Sequence, residues 1–155
     1  MHTSSTTRTI AARPDTVYRA FVDPDLLVQW QAPDHMTAQV HWFDPRPGGG
    51  YEMSLFYDDP TTPGKTGNNE DRYTARFIEL VPPRKIVEVI QFDSADPDLA
   101  GDMTMTVEIE AIGVESRITI TFENLPAGVS ADDNDLGTQQ SIAKLARLVE
   151  SQPSG

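Results

Sequence analysis

The feature that most constrains the fold is the segment 132–150, the first stretch of the chain long and periodic enough to predict a substantial helix. An apolar stripe follows it at helical spacing, formed by Thr138, Ile142, Leu145 and Val149. One long C-terminal helix behind a body that consists mostly of strands indicates a sheet wrapped around a helix. Because such an architecture encloses space, it favours the binding of a small molecule.

The body before this helix favours antiparallel strands, because apolar and polar side chains alternate with a period of two. The alternation is clearest in segments 103–110 and 117–123, which join at a short turn containing Gly113 and predict a hairpin. Two short helices, opened by Pro14 and Pro24, follow the first strand. Strands are predicted at residues 3–12, 38–43, 51–57, 72–80, 85–93, 103–110 and 117–123.

Length and composition exclude several classes of protein. The 155 residues suit one domain spanning residues 1–155, and the absence of cysteine excludes disulfides, thiol nucleophiles and thiolate metal sites. The first residues are polar and lack the apolar core of a signal peptide. No apolar run approaches the roughly 20 residues that cross a bilayer. We therefore expect a cytoplasmic protein without membrane insertion.

The formal net charge of −12 bears on partners. It excludes nucleic acid and anionic membranes as favoured partners, because phosphate binding needs clustered lysine and arginine. The acidity serves solubility in the simplest interpretation, and a basic protein partner is the alternative. Exposed edge strands can pair between copies, so both a monomer and a homodimer remain open.

Two loops resemble ligand-binding motifs but lack required residues. The segment 64–66 reads Gly-Lys-Thr, yet Asp59 stands where a phosphate-binding loop needs its first glycine. The segment 96–98 reads Asp-Pro-Asp, yet Ala100 and Val107 occupy positions that must coordinate in a calcium loop. The sequence therefore predicts neither a bound nucleotide nor a calcium ion.

The three histidines have no metal-site spacing, so we predict no metal and no cofactor. His2 lies in the N-terminal tail, and His41 is expected to face away from the strand's apolar side. His35 beside Asp34 could act as a base at a cavity mouth. A surface-loop histidine is the simpler interpretation, and no convincing catalytic set emerges.

The predicted inner face is rich in aromatic residues and methionine, which can line an adaptable apolar pocket or equally form a packed core. Alternation from Tyr73 places Arg72 and Arg76 outward, and alternation in segment 38–43 places Trp42 inward. The candidate ligand-binding residues are Trp30, Trp42, Tyr51, Met53, Tyr73, Phe92, Met103, Met105, Thr138, Ile142 and Leu145.

Several short motifs occur in an order that is typical of one family. They lie at residues 12–21, 23–24, 27–30, 46–49, 81–86 and 125–126. With them, residues from about 8 to 150 resemble the α+β helix-grip fold of the START-like (SRPBCC) superfamily, and more narrowly the activator of Hsp90 ATPase (AHSA1-like) family. The resemblance implies a curved antiparallel sheet of about six or seven strands around the long helix, with a cavity between them. Relatives bind lipids, hormones or polyketides, a few are enzymes, and bacterial AHSA1-like members mostly lack an assigned activity.

One position departs from the pattern of these relatives. They often carry Gly-Trp at the start of the long helix, where this chain has Gly137 and Thr138. Replacing an indole by threonine on the inward stripe would open space, so one hypothesis is a pocket enlarged at that end. The alternative is that Trp30, Trp42 or a loop fills the gap.

Three functions remain open. The first is binding or carriage of a small apolar molecule, the second is an interaction module that regulates a chaperone ATPase, and the third is a cyclase- or hydrolase-like enzyme acting in the cavity. An empty apolar cavity would favour the first. A filled core with an exposed apolar patch would favour the second. A buried polar group with a perturbed pKa at the cavity floor would favour the third.

Overall fold

The sheet of the computed structural model, which describes residues 3–151, has seven strands in the order β1-β7-β6-β5-β4-β3-β2, all neighbours antiparallel. The strands are β1 (Thr3–Ile10), β2 (Met36–Asp44), β3 (Gly50–Tyr57), β4 (Glu70–Val81), β5 (Lys85–Phe92), β6 (Met103–Ile112) and β7 (Glu115–Glu123). The predicted helix-grip fold is confirmed. His2, which the sequence analysis places in the N-terminal tail, lies outside the described residues.

Three α-helices pack with this sheet: α1 (Pro14–Val22), α2 (Pro24–Trp30) and α3 (Ala131–Glu150). Proline opens each short helix, as predicted, because its fixed φ suits the first turn and its missing N–H is not needed there. The Asp133 N–H donates to Ser130 Oγ at 3.3 Å, which caps α3. Within residues 3–151, no helix combines the length and the apolar character needed to cross a membrane.

Hydrogen bonds at several points hold α3 across the sheet. Near its start, the Ser4 and Thr6 hydroxyls of β1 donate to Asp135 Oδ1 at 3.0 and 2.9 Å. In its middle, the Ser141 hydroxyl donates to the Gln31 carbonyl at 2.7 Å, directly after α2. The long helix is therefore attached both to the sheet edge and to the helix pair.

A β-bulge in β2 changes which side chains face inward. The pairing with β3 shifts between Val40 and Trp42, so that His41 is an extra residue in the strand. One inserted residue reverses the inside–outside phase of everything beyond it. Trp42 is consequently 47% exposed on the outer face, and the predicted inward orientation of Trp42 is wrong. Phe43 takes the inner position.

Two contacts fix the new phase. The ring of Phe43 stacks on Tyr51 with centroids 5.3 Å apart. The imidazole Nε2 of His41 lies 2.8 Å from Ser54 Oγ in a hydrogen bond on the outer face. His41 and Trp42 therefore share the outer side of the sheet, and the expectation that they face opposite sides is wrong.

The other strands keep the predicted phase. Ile86 and Ile90 are buried on the inner face, and Phe92 is half-buried beside them. Arg76 is exposed, and Arg72 lies on the outer face, where its Nη2 is 2.8 Å from Glu52 Oε1. Simple alternation therefore predicted these faces correctly wherever the strand pairing has no irregularity between them.

Candidate functional site

A cavity of about 610 Å³ lies between the inner face of the sheet and the N-terminal half of α3. Small-molecule sites typically enclose about 300–1,000 Å³. Much of its buried lining is apolar, formed by Phe21, Trp30, Ile90, Met105, Ile120 and Ile142. The volume of the cavity falls within the range of small-molecule sites.

The structure brings together part of the candidate set predicted from the sequence. Six of those residues line the cavity: Trp30, Tyr73, Phe92, Met105, Thr138 and Ile142. Four others are buried in the core without lining the cavity: Tyr51, Met53, Met103 and Leu145. Trp42 lies on the outer face, away from the cavity, for the reason given by the bulge.

Further lining residues were not among the candidates. Leu55 and Tyr57 of β3 and Phe122 of β7 belong to alternating patterns that already predicted inward positions, so the signal was present for all three. Gln31 and Lys65 come from loops next to the cavity and follow no periodic pattern. Only the folded chain identifies those two.

One loop closes over the side of the cavity and is held there by Asp71. This carboxylate is only 5% exposed. Its Oδ1 accepts from the backbone N–H of Lys65 at 2.6 Å, and its Oδ2 is 3.0 Å from Lys65 Nζ. The loop between β3 and β4 thereby contributes Pro63, Gly64 and Lys65 to the lining. The lysine of the Gly-Lys-Thr segment is thus engaged by a carboxylate.

The charged groups of the lining are mostly acidic. Among the described residues, Asp34, Asp71 and Asp133 line the cavity together with a single cation, Lys65. Since Lys65 is already paired with Asp71, the other two charged groups of this lining are the exposed carboxylates of Asp34 and Asp133. This arrangement disfavours an anionic ligand.

A tyrosine provides a hydrogen-bonding group in the buried part of the lining. Tyr73 is 5% exposed, and its hydroxyl oxygen accepts from Gln31 Nε2 at 3.0 Å. The same hydroxyl donates to Met53 Sδ at 3.3 Å. Burial raises the pKa of Tyr73, so the hydroxyl stays protonated and acts as a donor.

A buried carboxyl group lies deeper in the core. Glu88 is 1% exposed on the inner face of β5, and the Tyr51 hydroxyl donates to its Oε1 at 2.9 Å. Burial raises the pKa of Glu88 to about 7, although the hydrogen bond from Tyr51 acts in the opposite direction. The sequence analysis missed Glu88, yet the alternation that placed Ile86 and Ile90 inward places Glu88 inward too.

Glu88 does not line the cavity. Tyr51, which binds it, packs edge-on against Tyr73 with ring centroids 6.1 Å apart. Tyr51 therefore contacts both Tyr73 and Glu88, and of these three residues only Tyr73 lines the cavity. A molecule in the cavity would contact Tyr73 and not the carboxyl group.

The pair proposed as a base at the mouth is not assembled for that role. Asp34 lines the cavity, but His35 is exposed and does not. His35 has a φ of 65°, which places it at the tight turn that leads into β2. Within residues 3–151, no group of three or more histidine, aspartate or glutamate side chains is arranged to hold a metal ion.

Comparison with known proteins identifies relatives by sequence and by structure. A family model described as activator of Hsp90 ATPase homolog 1-like protein matches residues 11–150. An X-ray structure of a protein from Chromobacterium violaceum is 32% identical, with a TM-score of 0.88 over 97% of this chain and 99% of that one. No curated protein matches the chain.

More distant structures share the fold alone. The crystal structure of the AHSA1 protein from Silicibacter pomeroyi is 15% identical, with a TM-score of 0.77 over 95% of this chain and 96% of that one. A solution structure of a protein from Arthrobacter aurescens is 16% identical, with a TM-score of 0.81 over 99% and 88% of the two chains.

Proposed function

The chain belongs to the family of activator of Hsp90 ATPase homolog 1-like proteins, and we propose that within this family it binds a small apolar molecule. The binding site is the cavity between the sheet and the N-terminal half of α3. The observation that carries this proposal is the cavity itself, about 610 Å³ with a buried apolar wall. Binding of an apolar ligand to such a wall is favourable, because it removes apolar surface from contact with water.

The position of Glu88 supports binding over catalysis. Glu88 is the buried carboxyl whose pKa is raised to about 7, which is a property common at catalytic sites. A general acid or base must come within hydrogen-bond reach of the reacting atom. Glu88 is not among the residues that line the cavity. Its raised pKa therefore gives the enzyme alternative no direct support.

The interaction alternative has weaker support from the surface. The large apolar side chains that are most exposed are Trp42, Ile78, Val114 and Leu136. They belong to β2, β4, the β6–β7 turn and α3, and exposed apolar residues scattered in this way are normal for a soluble surface. A chaperone partner, a single-domain organisation and a cytoplasmic location remain predictions.

The test is a titration with Nile red, an uncharged dye whose fluorescence reports an apolar environment. Wild type should bind it saturably, and Thr138→Trp should lose at least about tenfold in affinity, because an indole at this lining position fills the cavity. The matched control is Gln139→Trp, which adds the same indole at an exposed position of α3 outside the lining. Circular dichroism should show that all three proteins are folded.

Absence of saturable binding by wild type would contradict the proposal. Equal loss in Thr138→Trp and Gln139→Trp would also contradict it, because the dye would then report a surface site rather than the cavity.

A further inference from the structure

The charges around the cavity argue against an acidic ligand. Lys65 is the only cation that residues 3–151 contribute to the lining, and its ammonium is 3.0 Å from Asp71 Oδ2. Asp133 occupies the first turn of α3, where the helix dipole would otherwise attract an anion. Asp34 lies 4.0 Å from Lys144 Nζ, but that ammonium donates to backbone carbonyls and does not line the cavity. An anionic ligand would therefore lie near carboxylates, and the described lining offers it no cation that is not already paired.

The hydrogen-bonding geometry of Tyr73 argues for an acceptor on the ligand. Gln31 Nε2 donates to the hydroxyl oxygen at 3.0 Å, so the O–H must point elsewhere to find its own acceptor. The acceptor it finds is the thioether sulfur of Met53 at 3.3 Å. Sulfur of this kind is a weak acceptor compared with a carbonyl or ether oxygen. A carbonyl or ether oxygen within reach of this hydroxyl would therefore accept a stronger hydrogen bond than the sulfur does.

The backbone of Gln31 is anchored to α3, because its carbonyl accepts from the Ser141 hydroxyl at 2.7 Å. Gln31 and Tyr73 both line the cavity, and the hydrogen bond between their side chains orients the Tyr73 hydroxyl. Pre-organised donors of this kind give a pocket its specificity.

We infer that the ligand is an uncharged apolar molecule with a hydrogen-bond-accepting oxygen, such as a ketone, ester or ether, and that the Tyr73 hydroxyl binds this oxygen. The inference rests on the proposed function, since it defines the class of molecule for the same cavity. Tyr73 acts as the specificity-determining residue, and Gln31 positions it. The acidic lining excludes carboxylates of otherwise equal shape.

Matched naphthalene probes test the oxygen contact. The affinities of 2-acetylnaphthalene, which has a carbonyl, and 2-ethylnaphthalene, which lacks one, are measured by displacement of Nile red. One hydrogen bond contributes about 0.5–1.5 kcal/mol net, so Tyr73→Phe should reduce the preference for the acetyl probe by about 2- to 12-fold. Affinity for the ethyl probe should stay unchanged. Tyr18→Phe is the matched control, because Tyr18 is buried outside the lining.

A second pair tests the charge. Methyl 2-naphthoate and the 2-naphthoate anion have similar shapes and differ in charge. After each affinity is corrected for partition of the probe between water and octanol, the ester should bind at least about tenfold more tightly than the anion. Asp133→Asn should reduce the difference in affinity between the ester and the anion, because it removes an unpaired carboxylate from the lining.

A direct measurement on wild type covers the case in which Tyr73→Phe does not fold. The infrared carbonyl band of bound 2-acetylnaphthalene should lie at lower wavenumber than in hexane, because a donated hydrogen bond weakens the C=O bond. Three results would overturn the inference, provided that 2-ethylnaphthalene still binds to wild type. They are an unshifted carbonyl band, an unchanged preference for the acetyl probe in folded Tyr73→Phe, and tighter binding of the anion than of the ester. If neither naphthalene nor Nile red binds to wild type, the proposed function itself fails.

Discussion

The two halves of α3 face different interiors. The C-terminal half presents Leu145, Ala146 and Val149, which are at most 3% exposed and belong to the same core cluster as Ile86 and Val107. Of the residues that the N-terminal half presents to the cavity, most are small or polar, such as Asn134, Gly137 and Thr138, and Leu136 is the large apolar exception. One helix therefore closes the core at one end and leaves space at the other. One end of the helix therefore contributes to the packed core, and the other end borders the cavity of the proposed binding site.

Truncation should have its largest effect at the packed end. Leu145→Ala should lower the free energy of unfolding by about 2–5 kcal/mol, because it leaves a cavity in a close-packed core. Thr138→Ala should cost less than about 1 kcal/mol, since Thr138 is half-buried beside space that already exists. Urea denaturation of both variants measures the difference, and equal losses would show that the two ends are packed alike.

The buried carboxyl should make stability depend on pH. The native pKa of Glu88 is raised to about 7 from an ordinary value of 4.5, so the folded state keeps a proton that the unfolded chain releases. This contribution is fully present below about pH 4.5 and is lost as the pH rises through 7. Compared with wild type, Glu88→Gln should therefore gain stability between pH 5 and 8, by an amount on the order of 3 kcal/mol.

Denaturant unfolding of wild type and Glu88→Gln across that pH range gives the measurement. Glu108→Gln, at an exposed position on β6, is the control and should parallel wild type. A difference between Glu88→Gln and wild type that does not grow with pH would mean that Glu88 is charged in the native protein at neutral pH.

The smallest effect is expected at the cavity loop. Lys65→Met removes the ammonium that pairs with Asp71. The Asp71 carboxylate, which is only 5% exposed, then has fewer partners. Because Lys65 is itself about one third exposed, the cost should be only about 1 kcal/mol. The sharper readout is hydrogen exchange of the Lys65 amide, which should accelerate as the loop opens. Unchanged exchange would show that Asp71 holds the loop through the backbone alone.

The inner faces of β4 and β5 could be predicted from local pattern alone, whereas that of β2 could not. Alternation in β5 points Ile86, Ile90 and Phe92 to one face, as observed, because side chains of a regular strand must point to alternate faces. In β2 the same reasoning failed at Trp42. The bulge at His41 is a property of pairing with β3, and pairing partners are not encoded in the periodicity of a single strand.

The sequence by itself determined the strand pattern, the proline-led helices, the cap of α3 and its inward stripe, since each depends on neighbours along the chain. Only the tertiary structure decided which inward residues meet a partner and which border empty space. Leu145 and Thr138 lie on the same stripe, yet one is packed and the other lines the cavity. The same holds for the contact of Lys65 with Asp71 and of Gln31 with Tyr73. Periodicity tells which way a side chain points, but what lies opposite it is fixed by segments distant in sequence.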